Sequence, residues 1–334
     1  MFRKMSIVLG VTLALLLVVA GCASNESVNE QTEAADNESK VPATTDEPQT
    51  RIVTDMFGEV EIPTNPERMI VTNTRYAEYM IELGIVPSGV LYVADVEPDY
   101  RLDYFANHGV ELIEYPQYEQ NYELLLTLNS DMIVAYGATV GDGIYEQLSK
   151  ISPTVAVPGT IFMSDAMPAL AAIFEREEQL ESVTAAFTAK VEAAKAQLAP
   201  YAEGKTVLVL RVDPNQYRFL GSKSQGASEL FYQQLGLQIP EVLKDGEAWF
   251  NPFSLEILPE INPDYIFIEK RVMEGGDSDQ SWEDLMGNSL WKNLDAVKNN
   301  RVFPVGTKDL VQGEGPIGSA YLIDFIVESI ISVK

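Results

Sequence analysis

A short pattern that occurs twice constrains the fold of this chain more than any other feature. Residues 121–134 read N-Y-E-L-L-L-T-L-N-S-D-M-I-V, and residues 254–267 read S-L-E-I-L-P-E-I-N-P-D-Y-I-F. Each copy begins with a residue that favours a helix N-cap, Asn121 or Ser254. An apolar helical stretch follows in both copies, then Asn-x-Asp, and then an apolar run that predicts a buried strand.

Both copies carry a glutamate in the first turn of the predicted helix, Glu123 in one and Glu256 in the other. The helix dipole favours an acidic residue there by about 0.3–1 kcal/mol, which explains each glutamate singly but not its repetition. A second repeated element precedes each copy, a helix that ends in L-G-I at residues 83–85 and in L-G-L at residues 235–237. Two elements in the same order predict two similar lobes, each with one acidic helix start.

The first half of the chain alternates between strands and helices. Residues 51–55 and 59–62 predict a β-hairpin ahead of this alternation. The predicted strands are residues 69–72, 89–92, 110–113, 132–135 and 154–157, and the predicted helices are residues 76–83, 98–107, 122–128 and 144–149. Such alternation predicts a mostly parallel sheet with helices on both faces.

A long helix is predicted over residues 177–198, which contain no Gly or Pro and are rich in Ala, Glu, Lys and Gln. We expect Pro200 to end it. A helix of this length spans roughly 33 Å. It could be an ordinary surface helix, but the repeated pattern on either side favours a bridge between two lobes.

Alternation resumes at Lys205 and completes the predicted organisation. The predicted strands are residues 206–210, 216–220, 265–269 and 301–305, and the predicted helices are residues 227–235, 255–260, 282–285 and 319–331. We therefore expect an N-terminal α/β lobe over residues 51–165, a helical connector over 166–200 and a C-terminal α/β lobe over 201–334.

The N-terminus predicts export and a lipid anchor. A basic start with Arg3 and Lys4 precedes an apolar stretch over residues 7–19, so residues 1–21 are expected to be a signal peptide. V-A-G-C then ends in Cys22, the single cysteine of the chain, and looks like a lipoprotein cleavage site. A general secretory signal with a chance cysteine is the alternative. Residues 22–50 are polar and are expected to form a disordered tether.

The composition excludes several classes of function. The chain carries 50 acidic and 23 basic residues, a formal charge of -27, which argues against nucleic-acid binding. The single histidine, His108, lies at a predicted helix end, where it interacts with the helix dipole, and the single cysteine is the predicted lipidation site. The sequence therefore predicts neither a Ser-His-Asp triad nor a Cys-His pair, and it lacks the ligands of a His/Cys zinc site. We expect no catalytic residue and no metal ligand. A hydrolase that uses a pair of carboxylates remains an alternative, because Asp and Glu are plentiful.

Arginine and aromatic residues gather where ligands bind in open α/β sheets, beyond the carboxyl ends of the strands. The candidate ligand-binding residues are Arg75, Tyr92, Tyr136, Arg211, Tyr217, Arg218, Trp249 and Arg271. Guanidinium groups pair with carboxylates or deprotonated oxygens, so this set suits a rigid anionic ligand. The alternative is that each arginine is solvated or forms a local salt bridge.

Several stretches in order resemble the substrate-binding lipoproteins of bacterial ABC importers for iron-siderophores, haem and cobalamin. They are G-E-V-E-I-P-T-N-P-E-R-M-I-V at residues 58–71, E-Y-M-I-E-L-G-I-V-P at residues 78–87, the two repeated blocks and the long central helix. The resemblance implies an α/β fold of two Rossmann-like lobes joined by one long α-helix, with the ligand cleft between the lobes.

The resemblance also implies a function. R-V-D-P-N-Q-Y-R-F-L-G at residues 211–221 is similar to binders of ferric hydroxamate or hydroxycarboxylate siderophores. Such a protein is a monomeric receptor without a cofactor, held by lipid on the extracytoplasmic face of the cell membrane. It delivers its ligand to an ABC permease dimer, and Glu123 and Glu256 match the glutamates that dock onto basic residues of that permease.

The resemblance leaves alternatives open. Residues 311–316, V-Q-G-E-G-P, differ from the tryptophan-containing loop that is usual in the family, so the chemical type of the ligand stays undecided. A haem or cobalamin receptor is the alternative within the class. A carboxylate-pair hydrolase and a structural adhesion lipoprotein are the alternatives from other classes.

Overall fold

The computed structural model describes residues 49–116, 120–272 and 276–333. The predicted signal peptide, the predicted lipidation site Cys22 and residues 22–48 of the predicted tether lie outside this part of the chain. None of the helices in the described ranges combines the length and hydropathy that a membrane span requires.

The N-terminal lobe is built on a five-stranded sheet in which every neighbouring pair is parallel. Its strands are β3 (Met69–Val71), β4 (Gly89–Tyr92), β5 (Glu111–Glu114), β6 (Met132–Tyr136) and β7 (Thr154–Val157). They lie in the order β5-β4-β3-β6-β7, so the strand order reverses between β3 and β6. In doubly wound sheets of this kind, ligands bind beyond the carboxyl ends of the strands at the reversal.

Helices cover both faces of this sheet. They are α1 (Thr74–Glu82), α2 (Asp99–Asn107), α3 (Tyr122–Thr127) and α4 (Asp142–Ile151). The central strands are fully buried, as Ile70, Val71, Ile133 and Val134 show. Burial on both faces explains why these strands read as continuous apolar runs. The predicted parallel α/β architecture of this lobe is confirmed.

The predicted N-terminal hairpin is present and extends the edge of the lobe. Strands β1 (Thr50–Thr54) and β2 (Glu59–Pro63) pair antiparallel. The Asp55 carboxylate accepts a hydrogen bond from the Phe57 amide (2.7 Å) within the turn, and a second from the Ala156 amide (2.9 Å) in β7. One side chain therefore both closes the turn and ties the hairpin to the sheet.

Two helices connect the lobes, α5 (Met163–Phe174) and α6 (Glu177–Ala202). Helix α6 has 26 residues and spans about 39 Å. Near its start Val183 packs on the core of the N-terminal lobe, whereas Val191 and Leu198 belong to the core of the C-terminal lobe. The prediction that this helix bridges the lobes is confirmed.

The prediction that Pro200 ends this helix is wrong, because α6 continues to Ala202. Pro200 lies in the last turn. There its missing N–H removes one hydrogen bond, to the Ala196 carbonyl, and leaves the earlier turns intact.

The C-terminal lobe has a mixed five-stranded sheet. Its strands are β8 (Val207–Asp213), β9 (Gln216–Leu220), β10 (Phe250–Pro252), β11 (Tyr265–Lys270) and β12 (Val302–Pro304), in the order β10-β9-β8-β11-β12. Strands β8, β11 and β12 are parallel, but β9 runs antiparallel to both β8 and β10. The short strand β10 was not predicted, because its Asn-Pro ending reads as a loop.

The helices of this lobe depart from their predictions more than the strands do. They are α7 (Leu258–Ile261), α8 (Asp279–Gly287), α9 (Ser289–Asn293), α10 (Asp295–Lys298) and α11 (Pro316–Ser332). The predicted helix 227–235 is a π-helical turn over Glu229–Gln234, and 255–260 divides into a 3-10 turn, Leu255–Ile257, followed by α7. A second π-helical turn, Lys308–Gln312, precedes α11.

A buried ionic network holds the two lobes together. Arg101 of α2 is fully buried, and it donates hydrogen bonds to Glu78 of α1 and to Glu97, each at 2.6 Å. The Nη2 group of Arg101 donates to the backbone carbonyl of Glu314 in the other lobe (2.9 Å). The Glu78 carboxylate in turn accepts from the Ile317 amide at the start of α11 (2.9 Å). Charged groups of the N-terminal lobe thus fix a loop of the C-terminal lobe.

Replacing Arg101 with Met should destabilise the protein by about 3–5 kcal/mol, because Glu78 and Glu97 would be left buried without a counter-charge. The free energy of unfolding from urea titration measures this loss. The matched control is Lys195→Met, since Lys195 pairs with Glu192 on the exposed face of α6. That change should cost less than about 1 kcal/mol. Equal effects of the two substitutions would contradict a stabilising role for the network.

Candidate functional site

The lobes meet where the carboxyl end of β3 faces the loop after β12 and where the start of α5 faces the segment between β9 and β10, and we call this junction the cleft. Three contacts between side chains define it. Arg75, after β3, donates to the Gln312 side chain (3.1 Å), and Gln225 donates to Asp165 (3.4 Å). Phe162, before α5, packs edge-on against Trp249 with ring centroids 6.2 Å apart. The predicted Trp249 and Arg75 therefore lie on opposite walls of one junction.

Arg75 is positioned by the start of α1. The Asn73 side chain caps this helix by accepting from the Arg75 amide (3.0 Å), which turns the arginine side chain toward the other lobe. Its guanidinium donates to the Val311 carbonyl and lies 3.4 Å from the Glu314 carboxylate. Arg75 is only 6% exposed, so it is a buried group held by the loop of the C-terminal lobe.

The two predicted tyrosines of the N-terminal lobe occupy different places. Tyr92, at the end of β4, lines a cavity of about 300 Å³ that also includes Asn73 and Gln312. Tyr136, at the end of β6, packs edge-on against Tyr76 with centroids 5.7 Å apart. The Tyr76 hydroxyl is buried without a hydrogen-bond partner in the described residues, and burial raises its pKa, so it stays a neutral donor.

Arg211 lies within β8 on the sheet face that bears Trp249 and Phe250. Its Nε donates to Glu269, the residue directly opposite in β11 (2.6 Å). The guanidinium carbon lies 3.4 Å from the centroid of the Phe250 ring and 5.8 Å from that of Trp249. Burial lowers the pKa of the Arg211 guanidinium, and the Glu269 carboxylate opposes this shift. Stacking on an aromatic ring and one ion pair compensate for that burial.

Arg218 and Arg271 share one carboxylate, Asp213, at the end of β8. Arg218 binds both oxygens of Asp213, at 2.6 and 2.7 Å, and this hydrogen bonding raises the pKa of its guanidinium. The Arg271 Nε lies 3.5 Å from Asp213, too poorly aligned for a hydrogen bond. Arg218 is therefore committed to Asp213, whereas Arg271 keeps a donor available.

Trp249 and Tyr217 also differ in whether their hydrogen-bond donor is already used within the protein. The Trp249 indole N–H is buried and has no acceptor within the described residues. The Tyr217 hydroxyl donates to the Ser281 carbonyl (2.8 Å), and its ring packs in the apolar layer under the sheet. Because neighbours in a strand point to opposite faces, Tyr217 does not share the face of Arg218. The structure thus brings Trp249, but not Tyr217, to the wall of arginines.

The carboxylates that pair with these arginines were not among the residues predicted from the sequence. Two of them could have been found from spacing, since R-V-D over residues 211–213 and E-K-R over residues 269–271 each place an acid and an arginine on one face of a strand. Glu314 had no such signal, because it belongs to a distant loop. Burial raises the pKa of the Glu314 carboxyl, and Arg75 opposes that shift.

Glu123 and Glu256 are exposed at equivalent positions of the two lobes. The Asn121 side chain caps α3 through the Leu124 amide (3.0 Å), and the Ser254 side chain accepts from the Glu256 amide (3.3 Å). Each glutamate lies in the first turn ahead of β6 or β11, the strand that pairs with the first strand of its lobe. The repeated pattern thus gives two acidic helix starts with the same topology.

Comparison with known proteins agrees with this architecture. The iron(3+)-hydroxamate-binding protein FhuD of Bacillus subtilis is 30% identical over 82% of this chain and 84% of its own length. The Fe(3+)-citrate-binding protein YfmC of the same organism is 28% identical over 90% and 89%.

Solved structures and a family match extend the comparison. A FhuD fold-family component of a Fep/Fec-like ferrichrome ABC transporter from Bacillus subtilis has 28% identity and a TM-score of 0.69, covering 83% of this chain and 99% of its own. The periplasmic binding protein family matches residues 69–307, which include both five-stranded sheets. The chain belongs to the periplasmic binding protein family.

Proposed function

We propose that this protein captures a ferric siderophore of the hydroxamate or hydroxycarboxylate type in the cleft and delivers it to an ABC permease. The observation that supports the proposal is a set of buried hydrogen-bond donors without acceptors in the described residues, which includes Arg75, Arg211, Trp249 and Arg271. Arg75 and Trp249 lie at contacts between the lobes. Relatives that bind iron(3+)-hydroxamate and Fe(3+)-citrate support the choice of ligand class.

The chemistry of the cleft suits an iron complex that is already fully coordinated. A siderophore fills the coordination sphere of iron with its own oxygens, so the protein needs donors to those oxygens rather than metal ligands. Arginine N–H groups and the indole N–H supply such donors, and the rings of Trp249 and Phe162 cover apolar parts of the ligand. This role requires binding and release without covalent chemistry, so we propose a receptor rather than an enzyme.

The proposal places the receptor at the membrane. Lipid on Cys22 would hold it on the extracytoplasmic face, and residues 22–50 would let the folded body turn above the surface. The monomer would dock through Glu123 and Glu256 onto basic residues of the permease dimer. One acidic group on each lobe fixes orientation as well as attraction.

Ferric siderophores should quench the tryptophan fluorescence of the purified protein, because Trp249 lies at the cleft. A titration panel with ferric hydroxamates, ferric citrate, ferric catecholates, haem and cobalamin measures each affinity. We expect sub-micromolar binding of a hydroxamate or citrate complex. Binding of haem or cobalamin alone would contradict the proposed ligand class, and binding of no compound would contradict the function.

Replacing Arg271 with Gln should weaken binding of that ferric complex by about 1.5–3 kcal/mol, roughly ten- to a hundredfold, through loss of a charge-assisted hydrogen bond. The fold should survive, since Arg271 is partly exposed and only loosely paired. Arg301→Gln is the matched control, because Arg301 precedes β12 at the opposite edge of the same sheet. Calorimetric dissociation constants that change equally in both variants would remove Arg271 from the site.

The double substitution Glu123→Ala with Glu256→Ala should leave ligand affinity unchanged and abolish uptake of radioactive iron by cells. Both side chains are exposed, and neither belongs to the buried donors of the cleft. The control pair Glu146→Ala with Glu283→Ala removes the same charge from exposed sites, one in each lobe. Normal uptake by the Glu123 and Glu256 double variant would refute the docking role.

A further inference from the structure

The arginines around the cleft are matched by carboxylates. Five guanidinium groups and five carboxylates form contacts of 2.6–3.5 Å with one another in the described residues. The guanidinium groups belong to Arg75, Arg101, Arg211, Arg218 and Arg271, and the carboxylates to Glu78, Glu97, Asp213, Glu269 and Glu314. Their formal charges cancel. Arginines alone would favour an anionic ligand. Because the five carboxylates balance their charge, the combined set does not.

The cleft nevertheless offers hydrogen-bond donors. Six buried donor atoms have no acceptor within the described part of the chain: Arg75 Nε, Tyr76 Oη, Tyr100 Oη, Arg211 Nη2, Trp249 Nε1 and Arg271 Nε. A buried donor without an acceptor costs about 1–3 kcal/mol, so these groups favour a ligand that is rich in acceptor oxygens. Donors without a net positive charge suit a complex whose oxygens are exposed but whose charges are balanced.

Glu314 contributes to this balance from across the cleft. It extends from the loop of the C-terminal lobe and lies 3.4 Å from Arg75 of the N-terminal lobe, with only 6% of its surface exposed. The Ala227 amide donates to its other oxygen (3.2 Å). Gly226, at a φ of +66°, leaves room for the carboxylate, because a Cβ at this position would overlap it. The Ala227 amide and the space at Gly226 thus hold the Glu314 carboxylate next to Arg75.

We propose that the cleft selects ferric complexes without net negative charge, namely ferric trishydroxamates, and that Glu314 is a specificity-determining residue for this choice. The inference rests on the proposed function. Three hydroxamates neutralise iron(III) and present six oxygens as acceptors, whereas citrate and catecholate complexes keep negative charge. An anionic group that approaches Arg75 has to compete with the Glu314 carboxylate, but a neutral oxygen can accept from Arg75 Nε while the ion pair persists.

A charge series with one iron core tests the selectivity of the unaltered protein. The probes are a linear ferric trishydroxamate with a free terminal amine, its acetylated form and its succinylated form, which carry net charges of plus one, zero and minus one. We expect the first two to bind at least about tenfold tighter than the third in fluorescence titrations. Equal or tighter binding of the succinylated complex would overturn the proposal.

The substitution Glu314→Gln tests the residue. It removes the charge and keeps the shape, so affinity for the succinylated complex should rise about tenfold, while affinity for the acetylated complex changes less than about threefold. Glu328→Gln, on the exposed face of α11, is the charge-matched control and should alter neither. Parallel shifts for both complexes would show a structural role only and refute the assignment.

The wild-type protein supplies a second measurement that does not depend on folding of the variant. With a charge-balanced cleft, affinity for the succinylated complex should not fall as salt increases, because there is no net attraction between the cleft and the anion for salt to screen. A fall in affinity would indicate a cationic cleft and overturn the proposal. Failure of every ferric complex to bind would instead refute the proposed function, so the two failures are distinguishable.

Discussion

The contact between Arg101 and its three partners is the interaction on which the rest of the structure depends. A fully buried guanidinium group is stable only when its nitrogen atoms donate hydrogen bonds to acceptors in the interior. Here Nε, Nη1 and Nη2 of Arg101 donate to two carboxylates and to the Glu314 carbonyl. Two partners come from one lobe and the third from the other. The geometry of the buried charge therefore sets where the lobes meet.

Fixing the Glu314 backbone also fixes the chemistry of the cleft. Because the carbonyl is bound by Arg101 and the Ile317 amide by Glu78, the intervening residues can direct the Glu314 side chain toward Arg75. The same loop supplies the Val311 carbonyl and the Gln312 side chain to that arginine. The contacts of Arg75 and the contacts that join the lobes are thus parts of one network. The position of the Arg75 guanidinium therefore depends on how the lobes are placed relative to each other.

The sequence predicted the architecture well because the architecture is repeated and local. The spacing of apolar residues and the composition predict β4, β7 and β9 with the first and last residues that the structure shows. The repeated blocks predict the equivalent helix starts. The π-helical turns could not be predicted, since they depend on tertiary packing rather than on an i, i+4 pattern. The partners of Arg75 in the C-terminal lobe, and the Glu314 carbonyl that Arg101 binds, were also inaccessible, because they lie more than two hundred residues away in the chain.

The arginines divide into two groups, and the division explains how an acidic protein can hold a cluster of buried guanidinium groups. Arg101, Arg211 and Arg218 have carboxylate partners at 2.6 Å, the distance of a strong charge-assisted hydrogen bond. Arg75 and Arg271 have carboxylates at 3.4–3.5 Å and retain an unpartnered Nε.

Arg101 and Arg218 are structural, because their donors are largely used within the protein, whereas Arg211 donates through Nε to Glu269 and keeps an Nη2 without an acceptor in the described residues. The second group has one member in each lobe, Arg75 and Arg271. Because their ion pairs are longer, either guanidinium can turn toward a ligand while its carboxylate partner keeps a nearby counter-charge. Breaking a buried ion pair costs several kcal/mol, so a ligand that adds an acceptor to Arg75 or Arg271 is favoured over one that displaces a carboxylate. Under the proposed function, the balance of charge within the cleft, rather than the number of arginines, would decide which iron complexes can enter.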